Sequence, residues 1–280
     1  MSELLNNDTI NQVKKLGFTS IQSFLPQSNF VSINNRLVNL TKKKKKIYFP
    51  TNSTGYLIKF LKLDFKTIFA TKMLIQVAKD LKLKEAATEI LGQEVKLDTL
   101  DCYLNEKSNE EILEWHNDLG FNGINSELNF YSEASATINR RKIKTNFTSR
   151  GVKFFIYMTD VSQKNGCLGL IPYSHKIVFS LTQLILEKKI DLNLYWKLED
   201  LRNLVLQKEV KKLLLNTIKE KELEEFLESS KFSMGPTKDT TDFDLALKKN
   251  SVVIFNELCV HRGSAPVKTD RLVLRYLYRY

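Results

Sequence analysis

The spacing of apolar residues changes along the chain from a helical period to a strand period. In the N-terminal part, Asp8 can cap a short helix that Gly17 would end. From 56 to 91, apolar residues recur at three- and four-residue spacing until Gly92 ends the pattern. We therefore predict helices over 8–16 and within 56–91, packed on the outside of a sheet.

Downstream the period becomes two, with apolar residues alternating over 152–159. A stretch from about 178 to 235 is rich in Glu and Lys with leucines at helical spacing, so we predict a helical insertion there. Helices followed by many strands predict an α+β fold with a double-stranded β-helix (jelly roll) core. Further short strands are predicted at 96–104, 167–172, 251–255 and 272–280.

Composition supports a globular protein, since 42% of the residues are apolar and 10% are aromatic. No apolar run approaches the roughly 20 residues of a membrane-spanning helix, and the polar, acidic N-terminus is unlike a signal peptide. We find no repeat and no Pro/Gly/Ser-rich linker, so we expect one domain over 1–280 in the cytoplasm. The three cysteines show no CxxC spacing, which argues against a disulfide framework and a thiolate zinc site.

The net charge of +11 raises the question of an anionic partner. Basic residues cluster at 42–46 and 140–144, but no aromatic residues are interleaved and no nucleic-acid-binding motif accompanies them. We therefore favour a solvated loop, with attraction of an anionic small substrate or carrier as the alternative, and we disfavour nucleic acid. The sequence does not indicate the oligomeric state.

Candidate metal ligands occur in the segment 114–118 (EWHND). In an extended strand, residues i and i+2 point to the same face, so His116 and Asp118 could reach one ion. The chain has only three histidines, which leaves His175 or His261 as a third ligand. His261 follows a β-branched run over 251–255 that predicts a buried strand with His261 near its end.

Two imidazoles and one carboxylate suit Fe(II), because three adjacent coordination positions stay open for a chelating oxo-acid and O2. A structural zinc site would be closed and four-coordinate. The His-x-Asp pair alone is a weak signal, and its setting in the chain carries more weight.

That setting resembles the phytanoyl-CoA dioxygenase (PhyH)-like family of Fe(II)/2-oxoglutarate oxygenases. Three blocks between about 95 and 280 carry the resemblance. They are 115–118 (WHND), 150–160 (RGVKFFIYMTD) continuing into 165–176 (NGCLGLIPYSHK), and 250–255 (NSVVIF) followed by 261–264 (HRGS). The resemblance implies a cupin-like jelly roll with the helical insertion between the metal-ligand strands.

The resemblance also implies roles for individual residues. His116, Asp118 and His261 would be the iron ligands, whereas His175 would be structural. A carboxylate at Asp118, where related halogenases have Gly or Ala, favours oxygenation over halogenation. The family binds the distal carboxylate of 2-oxoglutarate with an arginine after the third ligand.

Arg271 and Arg275 both follow His261 and share a strand face, so both are candidates for this carboxylate. Arg271 has the more family-like spacing, but the segment around it departs from the common pattern, and the choice between the two stays open. Ser264 could add a hydrogen bond to the same carboxylate. Asn117, between two ligands, could reach co-substrate or substrate.

The implied activity is oxidation that uses Fe(II), 2-oxoglutarate and O2. We expect hydroxylation of an unactivated C–H bond in a small metabolite that is anionic or linked to a carrier. The same oxidant could instead catalyse desaturation, cyclisation or demethylation. Outside this class, a non-catalytic jelly-roll binding protein and a zinc hydrolase on a cupin-like barrel remain alternatives.

Overall fold

The computed structural model describes residues 5–108, 113–124, 126–138, 150–163, 165–232 and 243–280. The helices are α1 (Asn7–Leu16), α2 (Gln27–Thr41), α3 (Ser53–Leu61), α4 (Phe65–Asp80), α5 (Leu83–Leu91), α6 (Glu127–Thr137), α7 (Ser174–Leu186), α8 (Leu198–Leu206), α9 (Lys208–Leu214) and α10 (Glu220–Phe232). The strands are β1 (Phe18–Ile21), β2 (Lys46–Phe49), β3 (Lys96–Asn105), β4 (Leu113–His116), β5 (Gly151–Tyr157), β6 (Leu168–Leu170), β7 (Ser251–Asn256), β8 (His261–Gly263) and β9 (Arg271–Arg279).

The strands form two antiparallel sheets. The larger has six strands in the order β1-β7-β5-β9-β3-β2, and the smaller has three in the order β4-β8-β6. Neighbours in both orders are distant in sequence, as in a double-stranded β-helix, where the chain passes between two facing sheets. The predicted α+β jelly-roll fold with N-terminal helices is confirmed.

The two faces of the larger sheet have different partners because side chains alternate along each strand. Val152, Phe154 and Ile156 of β5 point outward and join a buried cluster with α1, α2, α4 and α5. Phe155 and Tyr157 point the other way, into the space between the sheets, where they pack against Phe255 and Val273. The helices therefore cover the outside, as predicted, and leave the inner face available for a site.

The N-terminal helices differ in detail from the prediction. Asn6, not Asp8, caps α1, since its side chain accepts a hydrogen bond from the Thr9 amide. The predicted helical stretch 56–91 consists of three helices, α3, α4 and α5. Leu63 and Lys82 lie between them with positive φ values, which an α-helix cannot accommodate. Apolar spacing continues across both breaks, so periodicity alone did not detect them.

The elements α2, α6, β1 and β2 were not predicted. Helix α2 follows Pro26 and begins without a side-chain cap, so the capping residue that would predict a helix start is missing there. The two short strands are stabilised by pairing with distant strands, β1 with β7 and β2 with β3. Local sequence does not encode such pairing.

The predicted helical insertion corresponds to α7–α10, which lie in sequence between β6 and β7. These helices bury leucines in a second apolar cluster that also contains Trp115, Leu258 and Val260. The insertion therefore packs against segments next to His116 and His261. The basic cluster at 140–144 lies outside the described residues. Within the described part of the chain, no helix is both long and apolar enough to cross a membrane.

His175, the first alternative for a third ligand, lies in α7 and is completely buried. Its Nε2 lies 3.4 Å from the carbonyl oxygen of Lys14, and its Nδ1 has no hydrogen-bond partner among the described residues. Burial, assisted by the nearby Lys176 ammonium, lowers the pKa of His175 to about 3. The imidazole is therefore neutral in the folded protein and joins α7 to the end of α1.

This lowered pKa predicts a loss of stability in acid. The unfolded chain protonates His175 near its usual pKa of about 6.5, so stability falls as the pH decreases from there towards 3. By pH 5 the contribution lost is about 2 kcal/mol. We expect urea unfolding of the metal-free His175→Leu variant to depend less on pH between 7 and 5 than that of the unchanged protein. Equal pH dependence in the two proteins would contradict this account.

Candidate metal centre

The three proposed ligands lie together at one end of the space between the sheets. Potential ligand atoms of His116, Asp118 and His261 all lie within 4.8 Å of one another. Nε2 of His116 is 3.6 Å from Oδ1 of Asp118, and Nε2 of His261 is 3.9 Å from Oδ2. Among the described residues, this is the only such group of His, Cys, Asp and Glu side chains.

Strand β4 ends at His116, so Asp118 lies in the turn beyond it and not within the strand. The expectation that strand alternation aligns the two side chains was therefore wrong in its geometry, although the residues do converge. The intervening Asn117 holds the turn in place. Its backbone amide donates to the carbonyl of Trp196 at 3.0 Å, and its side-chain amide donates to the carbonyl of Tyr195 at 2.7 Å.

His261 does not end the strand formed by 251–255, as was expected. It begins a separate strand, β8, after residues 257–260 have carried the chain from the larger to the smaller sheet. In the antiparallel ladder of β4 and β8, His261 pairs directly with His116. The imidazole centroids lie 4.5 Å apart as a result. The register between two strands that are remote in sequence thus brings the two histidines together.

Backbone carbonyls fix the tautomer of both imidazoles. Nδ1 of His116 lies 2.8 Å from the Glu114 carbonyl oxygen, and Nδ1 of His261 lies 2.8 Å from that of Cys259. A carbonyl oxygen only accepts, so each Nδ1 carries the proton and each Nε2 presents a lone pair towards Asp118. Burial lowers the pKa of His261 to about 3, which keeps it neutral and able to bind a cation.

Asp118 supplies the negative charge of the centre. Burial alone would raise the pKa of its carboxyl group, but the Lys153 ammonium favours the charged carboxylate, and the pKa lies well below its usual range. Lys153 contacts Oδ2 of Asp118 directly. Asp118 is also the accessible member of the group, with 41% of its side chain exposed, which leaves the centre open towards solvent.

Lys153 was not among the residues predicted for the site. The sequence could have indicated Lys153, because it is a lysine in the apolar strand GVKFFIY, on the face shared by Phe155 and Tyr157. A long charged side chain on a buried face needs a partner. Only the tertiary structure identifies that partner as Asp118.

The two candidate arginines have different partners. Arg271 is buried, stacks 5.6 Å from the Tyr103 ring centroid and donates only to neutral oxygens, the Asn105 side chain and the Gly166 carbonyl, at 2.9 Å each. Among the described residues, no carboxylate forms an ion pair with it. Arg275 instead donates from Nε to Oδ1 of Asp101 at 2.8 Å, and its Nη2 binds the other carboxylate oxygen.

Ser264 lies next to the part of the chain that binds Arg271. Its hydroxyl donates to the Cys167 carbonyl at 3.3 Å, one residue after the Gly166 carbonyl that accepts from Arg271. Ser264 is three residues beyond His261, which is about 10 Å of extended chain. Arg271 and Ser264 therefore lie near each other, displaced along the interior from the three proposed ligands.

Aromatic rings surround the histidines. Trp196 lies 4.8 Å from the His116 ring centroid, and Phe255 lies 5.5 Å from that of His261. Trp196 belongs to the segment before α8 and was not predicted, because its position depends on its packing beside β4. These rings lower the local polarity and restrict each imidazole to one orientation.

The donor set fits a divalent cation of the first transition series. It offers two imidazole nitrogens with free lone pairs and one ionised carboxylate oxygen, all within 4.8 Å of one another. Such a set leaves further coordination positions for small molecules, which suits Fe(II) better than a closed zinc site. The exposed side of Asp118 provides access.

Comparisons with known proteins agree with this geometry. The sequence profile of the family described as phytanoyl-CoA dioxygenase (PhyH) matches residues 13–272. Curated protein sequences gave no significant match. Iron-bound HygX from Streptomyces hygroscopicus has a similar crystal structure, at 13% identity and a TM-score of 0.55, covering 98% of this chain and 86% of HygX.

Two further crystal structures have the same fold. HygX with nickel and 2-oxoglutarate bound gives 14% identity and a TM-score of 0.53, covering 98% of this chain and 87% of that one. The non-heme α-ketoglutarate-dependent epimerase SnoN of nogalamycin biosynthesis gives 10% identity and a TM-score of 0.52, covering 97% and 81%. At these identities the structures establish the fold, while the profile match establishes the family. The chain belongs to the phytanoyl-CoA dioxygenase (PhyH) family and is an Fe(II)-dependent oxygenase that uses 2-oxoglutarate and O2.

Proposed function

We propose that this oxygenase hydroxylates an unactivated C–H bond of a small metabolite, with His116, Asp118 and His261 as its iron ligands. The observation that carries the proposal is the position of Arg271. It is a buried guanidinium without a carboxylate partner among the described residues, on the interior face that also leads to the three proposed ligands. Such a group is suited to hold a dicarboxylate whose other end binds the metal.

Arg271 is the better candidate for the 2-oxoglutarate carboxylate because Asp101 already neutralises Arg275. The stacking of Arg271 on Tyr103 and its hydrogen bonds to Asn105 and Gly166 fix the orientation of the guanidinium before the co-substrate arrives. A preoriented planar donor loses little entropy on binding a carboxylate. Ser264 lies close enough to this region to contribute its hydroxyl.

The remaining residues orient and protect the reacting groups. The Glu114 and Cys259 carbonyls hold both imidazoles with Nε2 towards Asp118, where both nitrogens would be free to bind the metal, and Phe255 and Trp196 limit the access of water on their sides. When bound, Fe(II) together with 2-oxoglutarate and O2 supplies the oxidising chemistry. The substrate would approach from the exposed side of Asp118.

The test is an anaerobic titration of metal-free protein with Fe(II) and then with 2-oxoglutarate. We expect a weak visible charge-transfer band that saturates with 2-oxoglutarate, because a chelating keto acid needs two open positions on the metal. After O2 is admitted, succinate should form. If the metal binds but no band appears, the non-catalytic binding protein or the hydrolase becomes the better explanation. A mass increase of one oxygen in the substrate would distinguish hydroxylation from desaturation, cyclisation or demethylation.

A further inference from the structure

Lys153 is a buried cation beside the proposed metal centre, and neither the fold nor the assigned activity accounts for it. Only 5% of the Lys153 surface is exposed to solvent, and its side chain points into the space between the sheets. The neighbours on that face of β5 are Phe155 and Tyr157, which belong to an apolar cluster. An ammonium ion is costly to bury in such surroundings unless an anion compensates it.

In this structure the compensating anion is Asp118. The ammonium contacts Oδ2 of Asp118 and lies 5.4 Å from the Phe255 ring centroid. Among the described residues, Lys153 forms no ion pair with another carboxylate. Asp118 is also the proposed metal ligand, so Lys153 and a bound dication would share a single carboxylate.

The other cations of the interior have their own partners. Asp101 neutralises Arg275, and Asp244 neutralises Arg262. In the proposed function, Arg271 binds one carboxylate of 2-oxoglutarate. The two negative charges of 2-oxoglutarate and that of Asp118 then balance the dication and Arg271. One positive charge, that of Lys153, remains without an anion of its own next to the metal.

Arg271 and Lys153 occupy well-separated positions on their strands, so we do not expect them to bind the same carboxylate of 2-oxoglutarate. In the ladder of β5 and β9, Lys153 pairs with Leu277, six residues from Arg271, so the Cα positions of Lys153 and Arg271 lie about 20 Å apart along the strands. The Arg271 guanidinium binds Asn105, its direct partner across β3 and β9, so it does not lean towards Lys153. The distal carboxylate therefore stays at the Arg271 end of the interior.

We propose that Lys153 forms an anion subsite beside the metal and that this subsite receives a carboxylate or phosphate group of the primary substrate. This inference rests on the proposed function and adds that the substrate is anionic. The Phe255 ring next to the ammonium provides an apolar wall for the carbon skeleton behind the anionic group. An ammonium at this position would hold the substrate next to the open coordination positions, so Lys153 would select and orient the molecule to be oxidised.

The experiment uses anaerobic enzyme loaded with Fe(II) and 2-oxoglutarate, with hexanoate, pentylphosphonate and hexanamide as probes. The probes share a chain length but only the first two carry a negative charge. Binding is followed by the shift of the charge-transfer band. We expect the anions to bind the unchanged protein about tenfold more tightly than the amide, since a charge-assisted hydrogen bond contributes more than a neutral one.

The variants are Lys153→Met, Lys153→Arg and the control Lys197→Met. Lys197 is an exposed lysine that pairs with Glu114 next to β4. Lys153→Met should remove the preference for anions while 2-oxoglutarate affinity stays within about twofold, whereas Lys153→Arg and Lys197→Met should keep the preference. Fe(II) affinity of Lys153→Met should be equal or higher, because no ammonium competes for Asp118. Thermal unfolding will show that the variants are folded.

Several outcomes would overturn the subsite. One is an equal preference for anions in Lys153→Met, and another is the absence of any preference in the unchanged protein. A tenfold loss of 2-oxoglutarate affinity in Lys153→Met would assign Lys153 to the co-substrate instead. These outcomes differ from a failure of the proposed function. In that case, the unchanged protein would give no charge-transfer band with Fe(II) and 2-oxoglutarate, even before a probe is added.

Discussion

Replacing His261 with alanine is expected to abolish tight Fe(II) binding and 2-oxoglutarate turnover. The variant would leave one imidazole and one carboxylate, which cannot hold the metal with three positions open on one side. Turnover should fall by about a thousandfold or more, because the bound metal contributes several kcal/mol to catalysis. Fe(II) binding is measured by anaerobic titration, and succinate formation reports turnover.

His175→Leu is the matched control, since His175 is also a buried histidine but does not belong to the group of ligand atoms that lie within 4.8 Å of one another. We expect this variant to retain the charge-transfer band and to form succinate. If His175→Leu lost metal binding and His261→Ala kept it, the assignment of the third ligand would be wrong. The comparison is informative because the chain contains only three histidines.

The second large effect concerns the two arginines of β9. Arg271→Leu should weaken 2-oxoglutarate binding by about 10- to 100-fold, the value of a charge-assisted bidentate hydrogen bond to a carboxylate. Fe(II) affinity should change little, because Arg271 contacts none of the proposed ligands. The measurement is the 2-oxoglutarate concentration that half-saturates the charge-transfer band.

Arg275→Leu should act mainly on stability. It leaves the Asp101 carboxylate buried without its guanidinium partner, which typically costs about 3 kcal/mol in the free energy of unfolding. A second change, Asp101→Asn, removes the orphaned charge and should restore part of the loss. If Arg275→Leu reduced 2-oxoglutarate affinity more than Arg271→Leu did, the two roles would have to be exchanged.

The contrast between these arginines illustrates what a sequence pattern can supply. Strand alternation places Arg271 and Arg275 on the same face, and the family resemblance restricts the choice to the two. Neither argument separates them. The separation comes from Asp101, which is 174 residues from Arg275 along the chain and reaches it only because β3 pairs with β9.

For the metal centre as well, the sequence predicted which residues take part and the structure decided how they are arranged. The residue types and their order predicted which three side chains would lie together, and in the structure their ligand atoms all lie within 4.8 Å of one another. The predicted geometry was wrong in two respects. Asp118 lies in a turn and not in a strand, and His261 begins β8 instead of ending β7. A period-two pattern reports which side a residue faces but not where a strand stops or where the chain changes sheet.

The sequence by itself determined the jelly-roll class, the outer helices, the helical insertion and the identity of the candidate ligands, because these depend on local periodicity and on the chemistry of a few residue types. Only the tertiary structure decided the pairing of His116 with His261, the neutralisation of Arg275 and the contact between Lys153 and Asp118. The physical reason is that hydrogen-bond register and buried charge pairing join residues that are remote in sequence. Both the register and the charge pairing depend on the whole folded structure, so neither produces a periodic pattern in the sequence.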